Sequence, residues 1–318
     1  MVDTMKQTRR QLLVVAGMSL SLAGARFPGR LAGAEERGGK LTAGSGERPP
    51  GGLPDGWRGI RKIDVHNHVM QAVQQPNVSW HDVEQIIAAA EFLGIERLCC
   101  SRPITGGALA EIEEVRGAND SVLAAMRRYP ERIAGFCFVQ PGNGRQALEE
   151  IDRCLDQGMI GVKLYNQFKF NNPLVFPVAE KCIDAKIPFL GHSAHLTDSR
   201  SQASQPNTSD SLDFCQLSGR YPELMLILGH INGGGDWEWA IKGLRDCPNV
   251  FVDTSGSVLE DGTIETCVRE LGVERILFAT DLTMEGGVGK ILSANISPEQ
   301  REDIFWRNAQ KIFDRRSA

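Results

Sequence analysis

Asp64-Val65-His66-Asn67-His68 is the stretch on which the reading of the whole chain turns. It places two imidazoles two residues apart at the end of a short apolar run. Side chains alternate along a strand, so His66 and His68 share a face. Two neutral imidazoles on one face suit a divalent transition metal such as Zn²⁺, which takes nitrogen ligands at about 2.0–2.1 Å. A lone pair of this kind is equally at home on a surface or in a satisfied core, so further ligand-type residues are needed.

Three more residues supply them. His192 closes the run Ile187-Pro188-Phe189-Leu190-Gly191, His230 closes Leu224-Met225-Leu226-Ile227-Leu228-Gly229, and Asp281 closes Arg275-Ile276-Leu277-Phe278-Ala279-Thr280. Each sits where a predicted strand ends. Of six histidines in the chain, only His81, in a helical stretch, and His195, three residues past His192, fall elsewhere.

Strand-like runs at about 60–66, 95–100, 132–139, 160–165, 187–192, 224–229, 249–254 and 273–280 alternate with helical patterns. The helical patterns lie near 81–93, 109–129, 145–157, 174–186, 209–220, 236–246, 263–271 and 298–313. Runs such as Ile133-Ala134-Gly135-Phe136-Cys137-Phe138-Val139 are apolar on both faces, as parallel strands covered by helices must be. Strand followed by helix throughout, over a span close to the roughly 250 residues of a (β/α)₈ TIM barrel, predicts that α/β fold for residues 59–318. Active sites of such barrels form at the C-terminal ends of the strands, where all the candidate ligands fall.

His66-x-His68 on strand 1, Lys163 on strand 4, His192 on strand 5, His230 on strand 6 and Asp281 on strand 8 resemble the metal-site pattern of the amidohydrolase superfamily. The closing segment, Ile296-Ser297-Pro298-Glu299-Gln300 through Asn308-Ala309-Gln310-Lys311-Ile312-Phe313, is similar to the C-terminal helix of its amidohydrolase-2 branch, which contains aminocarboxymuconate-semialdehyde decarboxylase. The resemblance covers about residues 60–314. It implies one metal ion, expected to be Zn²⁺, held by His66, His68, His192 and Asp281, with room for a water or substrate oxygen. Such an ion lowers the pKa of its water toward about 7 and polarises an electrophile. His230 would shuttle a proton or stabilise an oxyanion, and Asp281 would also take the proton of the attacking water. A carboxylated Lys163 would bridge a second metal held by His192 and His230; uncarboxylated, it would contact a substrate carboxylate or a neighbouring acid, or form a structural ion pair.

Thr8-Arg9-Arg10-Gln11-Leu12-Leu13 and the apolar stretch to Ala25 read as a twin-arginine export signal, with Ala23-Gly24-Ala25 or Ala32-Gly33-Ala34 as cleavage sites. Residues 1–34 are assigned to this signal and cleavage region, and 35–58, rich in Gly, Pro and charge, to a flexible linker. The apolar stretch is too short and too interrupted for a stable transmembrane helix. The expected location is periplasmic or secreted, and the expected partner is the twin-arginine export machinery, which carries folded, often cofactor-loaded proteins. Eight cysteines lie within predicted strands and helices without C-x-x-C spacing and read as buried small hydrophobes, although an oxidising compartment permits disulfides.

A 318-residue chain with 42% hydrophobic residues can bury one full barrel core. Its net charge of −5 and pI near 5.8 argue against nucleic acid and leave a small molecule as the expected ligand, with a homo-oligomer open. Arg102, after strand 2, could pair with a carboxylate; Tyr165, Asn166, His195 and Asn232 lie at or after strand ends and could line a pocket. Trp237 and Trp239 read as core, Asn232-Gly233-Gly234-Gly235 as a turn, and Asp253 and Thr254 as residues placed to hydrogen-bond ligands. The expected activity is metal-dependent hydrolysis of a small amide, lactone or ester. The alternative is non-oxidative decarboxylation of an aromatic or enoic acid. A catalytically silent exported binding protein is the reading of another class, against which the intact ligand set argues.

Overall fold

In the computed structural model, which describes residues 53–54, 56–70, 78–104, 109–231, 233 and 236–315, the apolar runs fold as strands. These are β1 (Ile63–His68), β2 (Arg97–Ser101), β3 (Ile133–Phe138), β4 (Gly161–Leu164), β5 (Phe189–Gly191), β6 (Leu226–Leu228), β7 (Val250–Asp253) and β8 (Ile276–Leu277). Their order in the sheet is β1 through β8, and each neighbouring pair is parallel. Between them run α1 (Trp80–Leu93), α2 (Ile112–Arg128), α3 (Arg145–Asp156), α4 (Phe176–Asp184), α5 (Ser199–Ser204), α6 (Ser211–Arg220), α7 (Trp237–Gly243) and α8 (Thr263–Leu271). After β8 come α9 (Met284–Ser293), α10 (Pro298–Glu302), a π-helical turn (Asp303–Arg307) and α11 (Asn308–Asp314). Among the described residues this is the nearly closed eight-stranded parallel barrel that the alternation predicts.

Two apolar layers follow from strand alternation. Val162 and Leu164 of β4 pack outward with Val178, Cys182 and other residues under the helices, whereas Lys163 between them belongs to the interior. Ile63, Val65, Phe136, Leu190, Ile227 and Leu277 fill the barrel lumen, plugged by Ala309 and Ile312 of α11. Val65 packs in the lumen, yet His66, its neighbour, also meets interior groups. The register between β1 and β2 shifts between Asp64 and Asn67, and such a bulge turns consecutive side chains to one side.

The seam between β8 and β1 brings the two ends of the barrel together. Val65 N donates to Phe278 O at 3.0 Å and Asp281 N to His66 O at 2.9 Å. Buried Asp64 reinforces it by accepting from Thr280 Oγ1 at 2.6 Å, Thr280 N at 3.1 Å, Asn67 Nδ2 at 2.9 Å and His66 N at 3.1 Å. Burial pushes the Asp64 carboxyl up to about 7 against the pull of these donors.

Three differences from the sequence reading have physical causes. β8 is only Ile276–Leu277, because Phe278 N leaves the ladder to bond Ile304 O at 3.0 Å, a carbonyl in the π turn. Helix α9, absent from the reading, carries Gly286, Gly287 and Gly289, poor helix formers, but Gly287 lets the helix approach Thr280, whose Cγ2 would lie 2.8 Å from an added Cβ. Finally, Cys215 of α6 and Cys247 after α7 form a disulfide, so the reading of all eight cysteines as free apolar residues is corrected. Helix packing brings the two Cα atoms to 5.6 Å, a proximity that the 32-residue separation conceals. The other six cysteines are free and buried.

The segment read as a twin-arginine signal and most of the segment read as a linker lie outside the described residues; Trp57–Gly59 forms a 3₁₀ turn whose Trp57 packs on the core. Among the described residues no helix is long and apolar enough to cross a membrane. Asp64→Ala would strip four donors of their acceptor and is expected to lower unfolding free energy by on the order of 3 kcal/mol in urea titration. A loss within the error of the wild-type value would mean that the two backbone bonds hold the seam unaided.

Candidate metal centre

Strand ends from around the barrel converge on one cluster. His66 and His68 leave β1, Lys163 lies on β4, His192 follows β5, His230 follows β6, Asp253 ends β7 and Asp281 follows β8. Ligand atoms of His66, His68 and Asp281 lie within 4.8 Å of one another. His68 Nε2 is 2.9 Å from Asp281 Oδ1, and its Nδ1 faces Ser101 O at 3.2 Å and Ser101 Oγ at 3.3 Å. His192 falls outside that group of three and joins through ring contacts, 4.7 Å from His230 and 4.3 Å from Tyr165 between centroids.

The backbone is strained where it delivers two of these groups. His230 has φ 68°, Asp281 φ 45° and Leu282 φ 69°, all in the left-handed region that side chains other than glycine's disfavour. Such strain gathers at functional sites because the surrounding contacts must impose it. For His230 one imposing contact is visible: its N–H donates to Asp253 Oδ1 at 2.9 Å. Gly229, just before it, has no room for a side chain, since an added Cβ would lie 2.6 Å from Gly191 O.

Electrostatics favour neutral imidazoles. Burial, with the nearby Lys163 ammonium, pushes His66 down to about 4; burial takes His230 to about 3 and His192 well below its ordinary range. Burial also lowers Lys163 to about 8. The carboxyl of Asp281 would rise on burial, but the His68 hydrogen bond and the surrounding imidazoles hold it well below the usual carboxylate range. Asp253 is held down likewise, by His66 above all. Neutral imidazoles beside an ionised carboxylate are the donor set a divalent ion requires. The Nδ1 of His192 is buried and has no hydrogen-bond partner among the described residues, as befits a nitrogen reserved for an absent ligand. His66, His68 and Asp281 therefore have donor atoms close enough to hold one ion together, and the unpartnered His192 Nδ1 is a further donor that an ion could use.

Lys163 is fully buried, and its Nζ lies 2.7 Å from His66 Nε2. Its direct partner is thus an imidazole rather than an acid. Of the residues read as pocket lining, Tyr165 stacks toward His192, while Asn166 donates to Gln205 Oε1 at 2.9 Å. Buried Arg102 donates to Ser121 Oγ. His195 turns to stack on Trp239 at 3.7 Å, with Asp210 Oδ2 3.5 Å from its Nδ1, and stands apart from the cluster. Trp239 is therefore a partner of His195, and half-buried Trp237 packs against the core while donating to Glu260 Oε2 at 2.8 Å. Asn232 lies outside the described residues. Ser101 and Ser255 were missed. Ser255 shares strand parity with Asp253, two residues before it, and that spacing after an apolar run was the available signal.

With this geometry in view, comparison with known proteins is informative. The family model Amidohydro_2, described as amidohydrolase, matches residues 63–315. A curated gamma-resorcylate decarboxylase from Polaromonas sp. (strain JS666 / ATCC BAA-500) is 26% identical over 315 residues, covering 83% of this chain and 92% of the relative. Among solved structures, a 2,6-dihydroxybenzoate decarboxylase from Rhizobium shares the fold with a TM-score of 0.62 at 19% identity, covering 80% of this chain and 98% of the other. A dihydroxybenzoic acid decarboxylase from Polaromonas sp. JS666, with bound manganese and the inhibitor 2-nitroresorcinol, gives 0.61 at 20% identity, covering 80% and 96%. These relatives overturn the expected hydrolysis of an amide, lactone or ester. The physical reason for the miss is that one ligand set polarises substrate oxygens for either reaction, so the ligands alone do not choose.

One equivalent of divalent metal is expected in the purified protein by elemental analysis, since the donor atoms of His66, His68 and Asp281 gather around one point. His66→Ala with His68→Ala should abolish it, and His192→Asn should lower it. Two equivalents, with a carboxylated Lys163 in the mass spectrum, would contradict the single-metal reading.

Proposed function

The chain belongs to the amidohydrolase family, in its aminocarboxymuconate-semialdehyde decarboxylase-like branch, and from that footing we propose that it is a metal-dependent, non-oxidative decarboxylase of a hydroxylated aromatic acid. The observation that carries this reading is the near full-length match to a decarboxylase, 92% of the relative's length, together with a centre in which burial keeps His66, His192 and His230 neutral beside the ionised Asp281.

A divalent ion held by His66, His68, His192 and Asp281, Zn²⁺ or Mn²⁺, would supply positive charge for substrate oxygens. The chain's own residues then handle the proton. Asp281, ionised and flanked by His68 Nε2 at 2.9 Å and His230 Nδ1 at 3.7 Å, takes the proton of a substrate phenol. Electron density from the phenolate reaches the ring carbon bearing the carboxylate, which receives that proton from Asp281. The bond to the carboxyl carbon breaks, its electron pair returns to the ring, and CO₂ departs. Neutral His230 would accept a hydrogen bond from a second hydroxyl of the substrate, the first having given its proton to Asp281. Arg102, buried after β2, would be the cation that meets a second anionic group on the substrate.

We further propose export by the twin-arginine pathway to the periplasm or beyond. The half-buried Cys215–Cys247 disulfide supports an oxidising compartment, and α6 and α7 already appose the two cysteines, Ser211 Oγ donating to Ala240 O at 2.7 Å. The bond can therefore close after a folded chain has crossed the membrane.

On a panel of ortho-hydroxybenzoates and enoic acids, metal-loaded protein should release CO₂ from at least one hydroxybenzoate, and Asp281→Asn should lower turnover by about 10²–10⁴-fold. Absence of CO₂ across the panel with full metal occupancy would overturn the reading. Separately, Arg9→Lys with Arg10→Lys should retain the protein in the cytoplasm, as fractionation would reveal; unchanged export would remove the twin-arginine assignment.

A further inference from the structure

Asp253 lies beneath the cluster and, like Asp64, gathers four partners. Its Oδ2 faces His66 Nδ1 at 2.8 Å, and its Oδ1 accepts from His230 N at 2.9 Å, Ser255 N at 3.0 Å and Ser255 Oγ at 2.6 Å. Ser255 Oγ in turn lies 2.9 Å from His230 Nδ1. All four residues are buried. The direction of each hydrogen bond follows from what the groups can do. A carboxylate only accepts, so the proton between Asp253 and His66 belongs to His66 Nδ1. A serine hydroxyl carries one hydrogen, and the 2.6 Å contact to the carboxylate is the stronger, charge-assisted destination for it. With that hydrogen committed, Ser255 Oγ can only accept from His230, which must then carry its own proton on Nδ1.

We propose that Ser255 is a positioning residue that, through Asp253, fixes His230 in the Nδ1–H tautomer and leaves its Nε2 as a hydrogen-bond acceptor. The same carboxylate fixes His66 in the Nδ1–H form, which leaves the Nε2 lone pair, 2.7 Å from Lys163 Nζ, as the atom that His66 would offer to an ion. One carboxylate and one hydroxyl thereby set the donor and acceptor faces of two imidazoles from β1 and β6. The tautomer stands independently of the reaction; only the use of Nε2 to hold a substrate oxygen rests on the decarboxylase reading.

The test is long-range ¹H–¹⁵N correlation of the imidazoles in full-length, ¹⁵N-histidine-labelled protein loaded with Zn²⁺, with His230 assigned by the signals missing from His230→Asn. Wild-type His230 is expected to carry its proton on Nδ1. Ser255→Ala should shift it toward the Nε2–H form, and Ser255→Thr, which keeps the hydroxyl, should restore Nδ1–H. With the preferred hydroxybenzoate, Ser255→Ala should reduce kcat by about 10–100-fold at unchanged metal content, and Ser255→Thr should recover most of it. An Nε2–H tautomer in wild type overturns the proposal even if the variants fail to fold, as does an unchanged Nδ1–H signal in folded Ser255→Ala. The expected spectra without CO₂ release from any hydroxybenzoate would uphold the tautomer control and sink the decarboxylase reading alone.

Discussion

Closure of β8 onto β1 is the constraint from which the site follows. The His66-x-His68 pair and Asp281 are separated by more than two hundred residues, and nothing local draws them together. Asp64 does so from within the same strand as the histidines, holding Thr280 by backbone and side chain while Asp281 N binds His66 O. A carboxylate buried among four donors is costly to form and costlier to leave incomplete, so it selects one register for the seam. That register sets His68 Nε2 within 2.9 Å of Asp281.

A second carboxylate does comparable work from β7, the strand next to that seam. Asp253 reaches His66 and His230 at once and supports the left-handed backbone at His230. The two acids divide the tasks: Asp64 fixes where the chain passes, and Asp253 fixes which nitrogens carry protons. The side chains of the cluster are thus held by the protein's own groups, which is the condition for preorganised electrostatic catalysis.

Much of this was legible because strand ends announce themselves. An apolar run of parallel-strand length followed by His192, His230 or Asp281 places each side chain at the barrel's C-terminal face with no knowledge of contacts. What was hidden depends on distances across the fold. The β1 bulge that turns His66 inward beside Val65, the left-handed φ values at His230 and Asp281, and the Cys215–Cys247 bond arise from packing between elements far apart in sequence. Helix α9 was hidden for the reverse reason: its glycines weaken the local signal, while the room they leave for packing on Thr280 is what the tertiary structure uses. The reaction itself was not legible, since hydrolysis and decarboxylation ask the same things of the ligands and differ in what the substrate offers. His195 shows the limit at residue scale, a histidine near strand 5 that stacks on Trp239 instead of entering the site.

The most direct measurement of the central claim is the fate of the ring carbon. Metal-loaded protein incubated with a panel of ortho-hydroxybenzoates in D₂O should yield, from at least one of them, CO₂ and the matching phenol bearing one deuterium at the carbon that carried the carboxyl group, with no label elsewhere on the ring. Recovery of every benzoate unaltered, or product formed at the same rate by protein whose metal has been removed, would contradict the account.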